Sequence, residues 1–110
     1  MKNKVLIIED NDYKYFTTKQ ILTSQLKLTV QVFGVQSAKE LVEATADVNP
    51  NQIIFRPSGG VAELLMKLKR RKINRRNTEI VLISASEMDP DAVNRAQEFI
   101  EGFQKMASAA

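Results

Sequence analysis

The chain has no histidine, no cysteine and no tryptophan in its 110 residues. Without imidazole there is no Ser-His-Asp triad, no zinc–histidine centre and no side chain that titrates near neutrality unperturbed. Without thiols there is no disulfide framework, no thiolate metal site and no cysteine nucleophile, which agrees with a reducing compartment. Four glycines and three prolines exclude collagen-like and mucin-like chains. No apolar run approaches the roughly 20 residues that a membrane span requires. Met1-Lys2-Asn3-Lys4 leads into a short run bounded by acids rather than into a signal-peptide core, so a cytoplasmic chain is expected. What is present, 44% hydrophobic and 26% charged residues, suffices for one domain with its own core. That domain is expected over residues 1–106, with the small-residue stretch 107–110 as a frayed tail.

Hydrophobic periodicity divides the domain into alternating strands and helices. Val5-Leu6-Ile7-Ile8, ended by Glu9-Asp10-Asn11-Asp12, reads as a strand covered on both faces of a parallel sheet. Tyr15, Leu22 and Leu26, with Phe16 and Ile21 alongside, predict a helix over 13–26 that Asp12 is placed to cap. Leu28 to Phe33 alternates apolar and polar residues, a half-covered strand closed by Gly34. Ser37-Ala38-Lys39-Glu40 has the form of a capping box, and Ala38, Leu41, Val42 and Thr45 follow at helical spacing until Pro50. Gln52-Ile53-Ile54-Phe55 is a short buried strand, Pro57-Ser58-Gly59-Gly60 a tight turn, and Val61, Leu64, Leu65 and Leu68 a helical stripe. Glu79 to Ile83 is the last buried strand, and Asp89-Pro90 opens a helix striped by Val93, Ala96, Ile100 and Phe103. Four strands alternating with four helices predict a single three-layer α/β domain built on a four-stranded parallel sheet.

In such a sheet functional groups gather at the carboxyl ends of the strands, here Glu9, Asp10, Arg56 and Ser84. Lys4-Val5-Leu6-Ile7-Ile8-Glu9-Asp10-Asn11 resembles the first strand and acidic pair of the receiver domain of bacterial response regulators. Pro50-Asn51-Gln52-Ile53-Ile54-Phe55 resembles the strand that ends in that family's phosphoacceptor aspartate, and Leu82-Ile83-Ser84-Ala85 the strand that ends in its hydroxyl residue. The resemblance implies a flavodoxin-like sheet of strand order 2-1-3-4 that lacks the family's fifth strand and helix. It also implies a degenerate phosphorylation pocket made of Glu9, Asp10, Arg56 and Ser84. The acceptor position is Arg56, whose guanidinium cannot take a phosphoryl group and replaces one of three carboxylates that would hold Mg²⁺. The expectation is a phosphorylation-independent protein–protein interaction module of bacterial signalling or regulation, with no catalytic residue, metal or cofactor. Glu9 and Asp10 are expected as solvated acids facing Arg56.

Two further features point to partners. Lys67, Lys69, Arg70, Arg71, Lys72, Arg75 and Arg76 lie within ten positions that contain no acid. The remaining nine basic residues face thirteen acids, so the net charge of +3 is local in origin. Such a run fits an acidic protein partner or, alternatively, the phosphates of a nucleic acid. With order 2-1-3-4 and right-handed crossovers, the last helix is expected on the sheet beside the first helix. Its outer residues Phe99, Phe103 and Met106, together with a free edge of the fourth strand, would then form a homodimer or dock another chain.

Overall fold

A computed structural model describes residues 3–55, 63, 66, 76 and 78–109. Strand β1 (Asn3–Glu9) leads into helix α1 (Asp12–Gln20), which continues as a π-helical turn (Ile21–Gln25). There follow β2 (Val30–Gly34), α2 (Ala38–Val48), β3 (Gln52–Phe55), β4 (Thr78–Ser84) and α3 (Pro90–Ala109). Of the stretch expected as a helix around 61–68, Glu63 and Met66 are helical, while Val61, Leu64, Leu65 and Leu68 lie outside the described residues.

The four strands form a parallel sheet, as expected, but in the order β2-β4-β1-β3 rather than 2-1-3-4. Apolar content accounts for the correction. Val5–Ile8 and Ile80–Ile83 are the two wholly apolar runs, and each is best covered between two neighbouring strands and two helical layers. They take the two central positions and are buried. β2 carries Gln31 and β3 begins at Gln52, and these shorter strands take the edges, where among the described residues one side of the backbone has no ladder. An order with β4 outside would have left its apolar run half paired.

The pleat splits the core in two. Leu6, Ile8, Val81 and Ile83 face Leu41 of α2 and Val93, Ala96 and Ile100 of α3. Val5, Ile7, Ile54, Ile80 and Leu82 face the opposite layer, where Leu22 and Leu28 cover them. The last helix therefore packs beside α2 and not beside α1. The chain leaving β4 is steered there by Ala85 and Met88, both buried in the α2 side of the core. α3 also runs on to Ala109, through the stretch expected to fray.

Caps mark the element ends. Asn11, not Asp12, caps α1, its side chain accepting from the Lys14 N–H at 3.0 Å, and Asp12 becomes the first helical residue. Ser37 Oγ accepts from the Glu40 N–H at 3.1 Å, while the Glu40 carboxylate reaches one residue further back than in a standard capping box, to the Gln36 N–H at 2.9 Å. Asn49 ends α2 in the left-handed region with φ 49°, a conformation that Asn tolerates at a helix C-terminus. The expected helix over 13–26 is interrupted: Leu26 N–H bonds to Ile21 O at 3.1 Å across a π turn. Thr23 Oγ1 bonds back to Lys19 O at 2.8 Å and competes there with the backbone ladder. Lys27, with φ 52°, and a Leu28 N–H to Leu22 O bond of 2.9 Å close the turn like a Schellman cap widened by one residue.

Candidate functional site

The helix leaving β1 lies on one face of the sheet and the helix leaving β4 on the other, so the two loops part above the adjacent ends of these strands. In an open α/β sheet this divergence is where a crevice forms. Glu9 is the register partner of Ser84, and Ser84 of Gly34, which brings two of the expected site residues side by side at its floor. Ala85 N–H docks on Glu9 O at 2.8 Å and Val35 N–H on Ser84 O at 2.9 Å, fixing the three strand ends together. Asp10 follows, half-buried. Arg56, the fourth member of the expected pocket, lies outside the described residues.

Glu9 is not the solvated acid expected of a strand end: it is only 2% exposed. Its Oε1 accepts the Asn11 N–H at 3.1 Å, and its Oε2 is buried with no hydrogen-bond partner among the described residues. Burial pushes the carboxyl above its ordinary value of 4.5, and Asp10 pushes it the same way, against the opposing pull of the Asn11 amide and Lys14. The sign of the pH effect follows. Between 4.5 and the raised folded value the folded chain keeps a proton that the unfolded chain has lost, so this contribution to stability is complete below 4.5 and lost as pH rises through the folded value. Glu9→Gln is therefore expected to stabilise the domain at neutral pH by about 1 kcal/mol and to lose that advantage near pH 4, since it relieves a buried, half-satisfied charge. Thermal unfolding of both proteins at the two pH values measures this, and a difference that does not vary with pH would contradict it.

Beside these strand ends lies a cavity of about 360 Å³ whose wall includes Asp12, Glu40, Glu87, Ser84, Ser86, Tyr15 and Phe16. Ser84 Oγ and Ser86 Oγ are 3.3 Å apart, and Gln36 Nε2 donates to Glu87 Oε2 at 2.8 Å, tying the loop after β2 to the loop after β4. The crevice is thus acidic and hydroxyl-lined. Among the described residues the Ser84 hydroxyl meets another hydroxyl and not a base. Among the described residues no group of three or more His, Cys, Asp or Glu side chains is placed to hold a metal ion.

The second candidate surface is the outside of α3. Phe99, Phe103 and Met106 are all exposed, Phe103 to 69%, although Val93, Ala96 and Ile100 on the same helix are buried. Phe99 and Phe103 border a groove of about 600 Å³ between α3, the end of α2 and β3, with Val42, Ile53 and Ile100 among its lining. Sequence reasoning found these three residues, but not Tyr13, Phe16, Val32 and Phe33, which are exposed as well. The signal for the last two was the polar content of β2, which marks an edge. The expected free edge of the fourth strand does not exist, because β4 is paired on both sides. Of the basic run only Arg76 is described, exposed in a turn; Lys67, Lys69, Arg70, Arg71, Lys72 and Arg75 lie outside the described residues.

No family model, no curated protein and no solved structure gives a significant match to this chain. What is established is the class of fold: a three-layer α/β domain on a four-stranded parallel sheet, compatible with a flavodoxin-like arrangement. Among the described residues no helix is long and apolar enough to cross a membrane.

Proposed function

We propose that this domain is a protein-interaction module that acts in the cytoplasm without being phosphorylated, and that the outer ridge of α3 is its contact element. The observation that carries this reading is the division of α3. Its inner face already completes the core, so Phe99, Phe103 and Met106 form apolar surface that folding does not use. Their spacing of four and three makes a continuous ridge beside an apolar groove, a shape that suits an amphipathic helix of a partner with anchors at matching intervals. Independence from phosphorylation is supported by Arg56 in the sequence at the acceptor position that the receiver resemblance implies. A second reading, nucleic-acid binding, is favoured by the seven cations at 67–76.

Two variants separate these readings. Replacing Phe99, Phe103 and Met106 by Ser is expected to abolish the capture of proteins that the unaltered domain retains, while circular dichroism and melting stay unchanged. Replacing Arg70, Arg71, Arg75 and Arg76 by Gln is expected to leave that capture intact. The reverse pattern, together with retention on a polyanion column that falls steeply with salt, would transfer the function to the basic run.

A further inference from the structure

The outer edge of β2 is an open backbone ladder beside an acidic groove. Thr29 O accepts from Ile80 N–H and Val35 N–H donates to Ser84 O, so the odd-numbered residues of this segment turn their backbone groups toward β4. Successive residues of a strand point their N–H and C=O to opposite sides, and the groups of Val30, Val32 and Gly34 therefore point away from the sheet. Among the described residues no strand lies on that side, and β2 carries neither the lysine, the proline nor the bulge that ordinarily guards an edge. Such an edge takes an extended chain as an added strand.

The two faces beside this edge differ. Val32 shares the α1 face with Leu82 and is open to solvent. Gln31 and Phe33 share the α2 face with Val81 and Ile83, and with Glu40, Glu43, Asp47 and Glu79 they line a cavity of about 540 Å³ between α2 and the sheet. Among the described residues its one cation is Lys4, the register partner of Glu79. The cavity beside Ser84 and Ser86 continues the track, sharing Gly34, Val35 and Glu40 with the first and adding Asp12 and Glu87, with no cation in its described wall. Folding does not account for all of these acids. Glu40 serves as a cap, but Glu43 and Asp47, four residues apart on one side of α2, repel each other. Lys39 offsets Glu43 only weakly, at 4.0 Å between two exposed side chains. Asp47 stands in the last turn, whose carbonyl end disfavours a carboxylate and which holds no basic residue.

We infer that this edge binds a basic, extended segment of a partner protein, which joins the four-stranded sheet as a further strand beside β2. Its backbone pairs with the outward N–H and C=O of Val30, Val32 and Gly34. Its side chains alternate between the two faces, so every second residue, a Lys or Arg, reaches the carboxylates of the α2 groove, and those between are apolar and cover Val32. Charge chooses the occupant. An acidic or neutral strand would leave Glu43 and Asp47 uncompensated beside a backbone newly shielded from water, and a second copy of β2 would bring the same carboxylates to the other side of a two-fold seam. The α3 groove, lined by Gln52 and Ile53 of β3, lies at the opposite edge, so this site is separate from the interaction site proposed above.

Titration of the full chain with the peptide Lys-Val-Lys-Val-Lys-Val-Lys tests this, with amide hydrogen exchange on the complex. The peptide is expected to bind, to lose at least about tenfold in affinity between low salt and about 0.5 M salt, and at saturation to slow exchange of the Val30, Val32 and Gly34 amides at least about tenfold. Its counterpart with Glu in place of Lys is expected not to bind. Glu43→Lys combined with Asp47→Lys is expected to weaken binding of the Lys peptide at least about tenfold with circular dichroism unchanged. The triple Ser variant of α3 is expected to bind it as the unaltered chain does, so this site and the proposed interaction site fail independently. No binding, equal binding of both peptides, or binding that leaves the three amides unprotected would overturn the inference. So would binding that appears only after Arg70, Arg71, Arg75 and Arg76 are replaced by Gln, since the chain's own basic run would then be the occupant. The exchange experiment needs no variant and decides the matter even if the double variant of α2 does not fold.

Discussion

Leu82→Ala is expected to lower the unfolding free energy by about 3 to 4 kcal/mol, whereas Val32→Ala, at the neighbouring position of the same register, lowers it by less than about 1 kcal/mol. Both side chains project from the same face of the sheet. Leu82 is wholly buried in the cluster with Leu22, Leu28 and Ile54, whereas Val32 is 39% exposed on the edge strand. The large cost combines lost transfer free energy with the cavity left among side chains that cannot collapse onto it. Such a loss is a large part of the stability available to a small domain. Urea unfolding in dilute solution measures both values. Comparable small losses at the two positions would mean that β4 is not a central strand.

Ile100→Ala is expected to cost about 3 kcal/mol, and Phe103→Ala, three residues along the same helix, less than about 1 kcal/mol. Ile100 is only 4% exposed and packs in the core between α2, α3 and the sheet, whereas most of Phe103 is in solvent. The sequence places both in one stripe with Val93 and Ala96, and by residue type alone the phenylalanine would be the costlier loss. The same denaturation measurement ranks them. A larger loss at Phe103 would place that ring in the core and remove the apolar ridge on which the interaction site rests.

Strand existence and parallel pairing were legible because continuous apolar runs in short segments leave little else for Val5–Ile8, Gln52–Phe55 and Ile80–Ile83 to be. Strand order was legible too, but in a different property from the one used. The receiver resemblance placed β4 outside, while the equal apolarity of Val5–Ile8 and Ile80–Ile83 marks both as central and the glutamines of β2 and β3 mark those strands as edges. The burial of Glu9 was not legible. A carboxylate closing a strand reads as solvated, and what encloses this one is the docking of Ala85 on its carbonyl and the sheet partner Ser84, contacts from more than 70 positions away. Nor was the π turn, since it depends on which carbonyl the Thr23 hydroxyl selects. The side taken by the last helix turned on Ala85 and Met88, two residues whose burial no periodicity announces.

The central position of β1 and β4 also sets the order in which the sheet can assemble. Val5 pairs with Ile80, 75 positions later, whereas the β1–β3 ladder needs only the chain as far as Phe55. Closing so long a loop before its contacts stabilise anything is slow, as it is for parallel sheets in general. During synthesis β1 emerges first and its longer ladder last, so a nascent chain can hold Val5–Ile8 against β3 on one side only until β4 has been made. β2 waits too, because among the described residues its single neighbour in the sheet is β4. One strand, Thr78–Ser84, thus converts a β1–β3 pair and an unpaired β2 into a sheet in a single late step, and cooperativity of folding is concentrated there.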